Sequence, residues 1–229
     1  MTRKIDSSLK TRIQSALVLG VVVLGVIYLG GIPFALLMAL AAAIGVYEWG
    51  KMVLSGKQYR AILMLFGMLY IGLSVWMMIW LRGSSAQGLY NILTLVMIVW
   101  ASDISAYFTG KTIGGPKLAP AISPKKTWSG FFGSSVGSGI VAAALACPWI
   151  LSKFGVATVG AMSWAGYAAM GFVLAMFGQV GDLFISVVKR RYGVKDTGNL
   201  IPGHGGVLDR IDALLLVALL FGSIVIFFI

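Results

Sequence analysis

The chain has 229 residues, of which 59% are hydrophobic and only 11% are charged. Soluble domains carry about 25% charged residues, so this composition excludes an ordinary soluble globular protein and indicates an integral membrane protein. The formal net charge of +11 does not indicate nucleic-acid binding. The basic residues lie in short connections beside apolar segments, where membrane topology and anionic lipid headgroups account for them.

Apolar segments follow one another along nearly the whole chain. Because a helix rises about 1.5 Å per residue, roughly 20 residues cross the hydrocarbon core of a bilayer. We predict an all-α, polytopic transmembrane helical bundle of about seven spans, forming one membrane domain over residues 1–229. The first two spans are short and share a tight turn, so they are also compatible with a hairpin that does not fully cross. The predicted spans are 16–29, 33–47, 61–80, 89–108, 131–151, 165–188 and 207–228.

The distribution of basic residues predicts the orientation of these spans. Of the 18 lysines and arginines, all but Arg82 and Lys153 lie in the N-terminal segment or in the connections after the second, fourth and sixth spans. Cytoplasmic connections retain positive charge during membrane insertion. We therefore expect a cytoplasmic N-terminus and a C-terminus on the opposite side.

The fourth predicted span contains Asp103, about one and a half turns inside its cytoplasmic end and four residues before Tyr107. A spacing of four residues places both side chains on one helical face. An ionisable group at this depth usually faces a polar cavity. Glu48, at the end of the second span, has the simpler interpretation of a carboxylate that anchors a helix end.

The connection 109–130 contains three prolines and four glycines. This composition excludes a continuous helix, and we expect irregular structure. Within "SPKKTW", Lys125 and Lys126 stand beside the hydroxyls of Ser123 and Thr127 and close to the interfacial Trp128. The arrangement predicts a phosphate clamp at the membrane surface. The alternative is a solvated basic linker that only sets topology.

Four polar residues form a stripe on the sixth predicted span. Gln179, Asp182, Ser186 and Lys189 follow at spacings of three, four and three, which puts them on one helical face. Such a stripe faces protein or water and not lipid. The alternative role is helix packing, with Asp182 paired to a basic residue of a neighbouring span, because a buried carboxylate is costly without a partner.

The segment "PGHGGVLDRID", 202–212, precedes and opens the last span. Asp209 and Asp212 lie three residues apart on one face at the start of the helix. A single aspartate there could simply cap the helix. The turn's three glycines allow the backbone to approach a ligand closely and to point N–H groups at phosphate oxygens; they are Gly203, Gly205 and Gly206.

The inventory of metal-binding residues restricts the kind of ion that the chain could hold. With one histidine, His204, and one cysteine, a zinc site of nitrogen and sulfur ligands is excluded. Aspartates indicate a hard cation, and magnesium is typically held by one or two carboxylates and completed by substrate phosphates and water. The sequence therefore predicts a site for a metal–polyphosphate complex, where positioning and charge neutralisation supply most of the catalysis.

Residues 181–212, "GDLFISVVKRRYGVKDTGNLIPGHGGVLDRID", resemble the signature of the phosphatidate cytidylyltransferases, also called CDP-diacylglycerol synthases. The similarity extends over S-x-x-K-R, K-D, the P-G-H-G-G turn and D-R-x-D. Residues 102–128 resemble the second polar region of that family, and "YEWGKM", 47–52, is a weaker third similarity.

This resemblance implies transfer of a cytidylyl group from CTP to phosphatidate in phospholipid biosynthesis, giving CDP-diacylglycerol and pyrophosphate. It implies magnesium (Mg²⁺), with potassium (K⁺) as a candidate second cation. It makes Asp182 and Asp209 the metal ligands. The residues that it implies in contact with phosphates of CTP or of the lipid are Lys126, Lys189, Arg190, Lys195, His204 and Arg210.

Two positions depart from the family pattern. Family members commonly have glutamate where Ile185 and Ser129 stand here. Any supporting role of those carboxylates would be either absent or filled by Asp103, Asp196 or Asp212.

We expect connections 109–130 and 189–206 to form the site together with helix ends 179–189 and 207–212. The site would face the cytoplasm of a bacterial inner membrane, where soluble CTP meets a lipid phosphate. No strong general base is needed, so His204 is expected to donate a hydrogen bond to phosphate, with tethering of its turn as the alternative.

Two other functions stay open from the sequence. A lipid or polyprenol kinase would also need a nucleotide–magnesium site. A cation- or proton-coupled transporter could use Asp103 and Asp182 as a relay. A CDP-alcohol phosphotransferase is disfavoured, because its D-G-x-x-A-R motif is missing. The sequence leaves the oligomeric state open, a homodimer included.

Overall fold

The computed structural model describes residues 7–56, 59–83, 87–156 and 162–228, and only the backbone for residues 7–13 and 228. Long helices dominate this part of the chain, so the all-α prediction is confirmed. The helices are α1 (Ser7–Leu29), α2 (Gly31–Leu54), α3 (Arg60–Gly83), α4 (Gly88–Thr112), α5 (Trp128–Leu145), α6 (Pro148–Lys153), α7 (Trp164–Arg191) and α8 (Leu208–Phe228), and the strands are β1 (Lys117–Ala119) and β2 (Ser123–Thr127).

Six helices in the described residues are long and apolar enough to cross a membrane, namely α2, α3, α4, α5, α7 and α8. The apolar part of α1, Gln14–Leu29, is shorter. The expectation of a short second span is wrong, because α2 has 24 residues and continues past Glu48. Glu48 therefore does not end the helix, and its carboxylate is hydrogen-bonded to other elements.

The fifth predicted span, 131–151, is two helices. Helix α5 ends at Leu145, and the short helix α6 begins at Pro148. Proline has no backbone N–H and is disfavoured inside a helix, but it fits the first turn of a new one. The predicted single helix across this proline is therefore wrong.

The connection after α4 is not irregular, as the sequence predicted, but contains a small β-hairpin. Helix α4 continues to Thr112, and strands β1 and β2 then pair antiparallel, with Lys117 opposite Thr127 and Ala119 opposite Ser123. Each strand of a two-stranded hairpin has a free edge, and free edges tolerate the prolines of this segment. The hairpin leads directly into α5, whose first turn is capped by the Thr127 hydroxyl accepting from Gly130 N.

Small residues let α5 pack closely between α4 and α7. A Cβ at Gly137 would overlap the Ser105 side chain of α4, and a Cβ at Gly171 of α7 would lie 2.5 Å from Ser138 O. The Ser138 hydroxyl donates to Ile98 O at 2.9 Å. Small residues and interhelical hydrogen bonds commonly hold membrane helices together. This packing brings α4, the start of α5 and the end of α7 to one end of the bundle.

Candidate active site

Two lysine–aspartate ion pairs join the elements that meet at this end of the bundle. Lys126 Nζ on β2 lies 2.6 Å from Asp182 Oδ2 on α7. Lys189 Nζ on α7 lies 2.7 Å from Asp209 Oδ1 on α8. Asp182 thus has a basic partner, as its alternative role requires, but that partner lies in the hairpin and not on a neighbouring span.

The polar stripe on α7 faces the protein, as its spacing predicted. Gln179 Nε2 donates to Ser102 Oγ of α4 at 3.3 Å, and both residues are buried. Ser186 Oγ donates to Asp182 Oδ1 at 3.3 Å. Gln179 thus has the helix-packing role, whereas Ser186 orients the Asp182 carboxylate from within the same helix.

Five carboxylates line one cavity of about 280 Å³, which we call the acidic cavity. They come from α4, α7, the connection before α8, and α8 itself. The three carboxylates expected to compensate for Ile185 and Ser129 are all among them. The residues that line the acidic cavity are Asp103, Asp182, Lys189, Asp196, Asp209, Arg210, Asp212 and Ala213.

Backbone and side-chain donors hold the Asp209 carboxylate in place. Its Oδ1 accepts from Lys189 Nζ, and its Oδ2 accepts from Thr197 N at 2.8 Å and Gly206 N at 3.1 Å. The Thr197 hydroxyl lies 3.1 Å from the same oxygen and shares its one proton between Asp209 and Glu48. The side chain is only 4% exposed. Such a buried carboxylate is tolerated because its oxygens have charged and neutral donors.

Glu48 anchors a helix end, as the sequence suggested, but the end belongs to α8 and not to its own helix. Glu48 is 3% exposed. Its Oε1 accepts from Val207 N at 3.0 Å, and its Oε2 accepts from Leu208 N and Thr197 Oγ1, each at 2.9 Å. Free N–H groups at a helix start attract a carboxylate. Sequence reasoning missed both Glu48 and Thr197 as builders of the site, and only the weak similarity of "YEWGKM" pointed to Glu48.

The glycine turn, residues 203–206, lies beside two protein carboxylates. The N–H groups of Gly206, Val207 and Leu208 donate to Asp209 and Glu48, and binding of phosphate by this turn stays a prediction. A Cβ at Gly206 would overlap Thr197 Oγ1 and approach the Glu48 carboxylate. Gly206 is therefore required for close packing, while Gly205 is required for its positive φ of 86°.

A second cavity, of about 350 Å³, lies between α4, β2 and α7 and adjoins the acidic cavity. We call it the hairpin cavity. Asp103 and Tyr107 both line it, which confirms that they share a face. Asp103 lies about two and a half turns before the end of α4, deeper than predicted, because the helix extends to Thr112. The other polar residues lining it are Lys111, Lys125, Lys126, Thr127, Gln179 and Asp182, and Ser123 is not among them.

The remaining basic candidates lie around the connection between α7 and α8. Arg190 donates to Ile122 O at 3.2 Å and to Val194 O at 3.1 Å, so it ties this connection to the hairpin. Lys195, His204 and Arg210 line a third cavity, of about 360 Å³, together with Asp196 and the glycine turn.

His204 has a structural partner, which gives the tether alternative a physical basis. Its Nδ1 lies 3.1 Å from Ser15 Oγ of α1, and the same hydroxyl donates to Pro202 O at 3.2 Å. The turn that precedes α8 is thereby linked to α1. Hydrogen bonding of His204 to phosphate stays a prediction.

The donors present fit a magnesium ion that arrives with phosphate ligands. Among the described residues, no three or more His, Cys, Asp or Glu side chains are grouped to hold a metal. Magnesium usually needs only one or two carboxylates and takes its other ligands from phosphates and water. The acidic cavity offers carboxylate oxygens from several elements.

These features define a polytopic membrane protein with a charged site suited to phosphate-bearing substrates at one end of the bundle. The sequence model of the cytidylyltransferase family matches residues 54–228. The chain is 35% identical to the phosphatidate cytidylyltransferase of Brucella abortus biovar 1, over 95% of this chain and 94% of the relative. It is 38% identical to that of Rickettsia bellii, over 81% and 77% of the two chains. The chain belongs to the cytidylyltransferase family and is an enzyme of the nucleotidyltransferase class.

Proposed function

We propose that the protein transfers the cytidylyl group of CTP to phosphatidate, with CDP-diacylglycerol and pyrophosphate as products. The observation that carries this proposal is the coincidence of the family match with two lysine–aspartate pairs, which line adjoining cavities at one end of the bundle. The Brucella abortus relative named phosphatidate cytidylyltransferase matches 95% of this chain.

The reaction needs little covalent chemistry from the protein. A phosphate oxygen of phosphatidate, already anionic near neutral pH, attacks the α-phosphorus of CTP and forms a new P–O bond. The bond from the α-phosphorus to the oxygen that bridges it to the β-phosphorus breaks, and pyrophosphate leaves with the electron pair. Catalysis then consists of alignment and charge neutralisation, so His204 is not required as a base.

Lys126 and Lys189 are the best placed groups to neutralise phosphate charge. Each ammonium has three N–H donors, and each now lies against an aspartate. We infer that both lysines donate to phosphate oxygens when substrates bind. Lys125, Arg190, Lys195, His204 and Arg210 complete the proposed set of cationic or hydrogen-bonding contacts, with Ser123, Gly205 and Gly206 as its weaker members.

We further infer that Asp182 and Asp209 hold Mg²⁺, with Asp103 and Asp212 as neighbouring carboxylates in the acidic cavity and K⁺ as a candidate second cation. Bound magnesium would stabilise the negative charge of the phosphates. The donor chemistry of the cavity supports this assignment, because its five carboxylates offer the oxygen ligands that magnesium prefers.

The proposed location is the inner membrane of a bacterium, with the site facing the cytoplasm. The excess of lysine and arginine in connections at the site end supports this orientation, and the compared relatives are bacterial. CTP would then enter from solution, while phosphatidate would enter from the bilayer.

Position-specific labelling of CTP tests the reaction and separates it from the alternatives. The purified protein is incubated with phosphatidate, magnesium and CTP labelled at either the α- or the γ-phosphorus. We expect the α-label in the lipid product and the γ-label in pyrophosphate. A lipid kinase would put the γ-label into lipid, and a transporter would give no labelled lipid, so either result would contradict the proposal.

A further inference from the structure

A fourth cavity, of about 380 Å³, lies between α1, α4 and α8. Most of its lining is apolar, and we call it the lipid-side cavity. One end is polar and is formed by Ser15, Asp103, His204 and Arg210. The apolar lining includes Leu19, Val23, Val96, Val99, Trp100 and Leu214.

The lipid-side cavity extends from the site into the membrane-spanning part of the bundle. Its lining runs along α1 from Ser15 to Val23 and along α4 from Asp103 back to Val96. These distances correspond to about 12 Å and about 10 Å of helix. The polar end is thus level with the acidic cavity, and the apolar end lies about two turns deeper.

Two charged side chains connect the lipid-side cavity with the rest of the site. Asp103 also lines the acidic cavity and the hairpin cavity, and Arg210 also lines the acidic cavity. A guanidinium group binds phosphate through two parallel hydrogen bonds, while aliphatic walls suit hydrocarbon. The polarity of this cavity therefore matches a phospholipid with a small anionic headgroup, oriented with its phosphate toward the acidic cavity.

We propose that the lipid-side cavity binds the glycerol backbone and the first part of an acyl chain of phosphatidate, with the lipid phosphate at Arg210. This inference rests on the proposed function and adds the place of one substrate. The soluble nucleotide then binds on the other side of Asp103, in the hairpin and acidic cavities. Asp103 lines all three cavities and so lies beside the place where the two phosphates would meet.

Photocrosslinking without CTP tests this assignment. The probe is phosphatidate with a diazirine near the carboxyl end of one acyl chain, and the control is phosphatidylcholine with the same chain. We expect phosphatidate to label lining residues of α1, α4 and α8, and unlabelled phosphatidate to compete. Both probes should label the exposed face of α3 around Leu65 and Leu69 equally. Equal labelling of the cavity by both probes would overturn the proposal in favour of ordinary bilayer lipid.

A matched pair of variants on α1 sharpens the test. Leu19 lines the cavity, whereas the adjacent Val18 does not and is 65% exposed. Leu19→Trp should lower cavity labelling and raise the KM for phosphatidate by about tenfold, the size of effect expected when a hydrophobic pocket is filled. Its KM for CTP should not change, and Val18→Trp should behave like the wild type. Val99→Phe provides a second filling variant on α4 if Leu19→Trp does not fold.

The labelling result and the reaction can fail independently. Labelling needs no turnover, so a protein that makes no CDP-diacylglycerol but still prefers phosphatidate in this cavity would refute only the proposed reaction. An active protein that is labelled elsewhere would refute only the lipid site.

Discussion

At the level of single residues, the Thr197 hydroxyl lies between two carboxylates. Thr197 Oγ1 lies 2.9 Å from Glu48 Oε2 and 3.1 Å from Asp209 Oδ2, and Thr197 is buried. Glu48 also binds the first N–H groups of α8, so α2 fixes both the start of α8 and, through Thr197, the orientation of Asp209. Glu48 and Thr197 are therefore positioning residues.

Replacing Thr197 tests this positioning role with nearly isosteric side chains. Thr197→Val removes the hydroxyl and should destabilise the protein by about 1–3 kcal/mol, the cost of leaving buried polar groups without a partner. It should also lower kcat. Thr197→Ser keeps the hydroxyl and should retain most of the activity. Thermal unfolding in detergent and turnover per folded molecule measure the two effects, and equal behaviour of Val and Ser variants would contradict the role.

The aspartates proposed to hold magnesium can be tested by substitutions that keep their size. Asp182→Asn and Asp209→Asn should each lower turnover by about 100-fold or more, as expected when a group that acts on developing charge is lost. The double variant should be little worse than either single one, because residues that act as a unit are not additive.

The competing role of Asp182 is simple charge pairing with Lys126. In that case, Asp182→Asn would reduce stability while folded molecules kept their turnover. Lys126→Met combined with Asp182→Asn would then restore stability and leave a working enzyme. We expect the combined variant to stay inactive, because both members of the pair face substrate in the proposed mechanism.

Metal removal gives a prediction that does not depend on substitution. Activity should disappear in excess EDTA and return with magnesium, since carboxylates and phosphates are the preferred ligands of this ion. Zinc should not replace it, because the chain has one histidine and one cysteine and zinc favours nitrogen and sulfur ligands. Full turnover in the presence of EDTA would argue against the magnesium site.

At the level of elements, the β-hairpin gives two adjacent lysines different surroundings. Lys126 is paired with Asp182 and its side chain is 18% exposed, whereas Lys125 is exposed. Lys126→Ala should weaken substrate binding by about tenfold or more, since hydrogen bonds to charged groups contribute about 1.5–3 kcal/mol. Lys125→Ala, the matched control, should have a smaller effect on KM. Unchanged kinetics in the double variant would reduce "SPKKTW" to a linker that sets topology.

The elements show which local signals were sufficient and which were not. The length of the apolar segments predicted where most of the long helices lie. The four-residue spacing of Asp103 and Tyr107 predicted that these side chains share a helical face. Pro148 is a signal for a break between two helices, but the apolar residues on both sides of it favoured one long span. The β1–β2 pairing depends on contacts between strands, and glycine and proline content alone indicated only that a helix is excluded.

The composition of the whole site was predictable only in part. The spacing of aspartates and the family resemblance identified residues that do line shared cavities, namely Asp103, Asp182, Asp209 and Asp212. The role of Glu48 was not predictable, because its partners on α8 lie about 160 positions away in the chain. Such long-range hydrogen bonds leave no periodic pattern in a sequence.

Orientation in the membrane is the remaining property of the whole molecule, and two exposed lysines make it measurable. Lys117 lies in the hairpin before α5, and Lys153 lies at the end of α6 after it. Helix α5 has 18 residues, about 27 Å of helix, so these positions should lie on opposite sides of the bilayer. Both variants are made in a protein whose own Cys147 is replaced by alanine. In intact spheroplasts, we expect a membrane-impermeant maleimide to label Lys153→Cys but not Lys117→Cys. In inverted vesicles, we expect the reverse.

The labelling pattern distinguishes the proposed orientation from its two alternatives. Labelling of Lys117→Cys from outside would place the site away from the cytoplasm, where CTP is made. Labelling of both positions from the same side would mean that α5 does not cross. The proposed orientation follows because a site that joins a soluble nucleotide to a lipid must open to the compartment that supplies the nucleotide, and the excess of positive charge in the connections at that end retains it there.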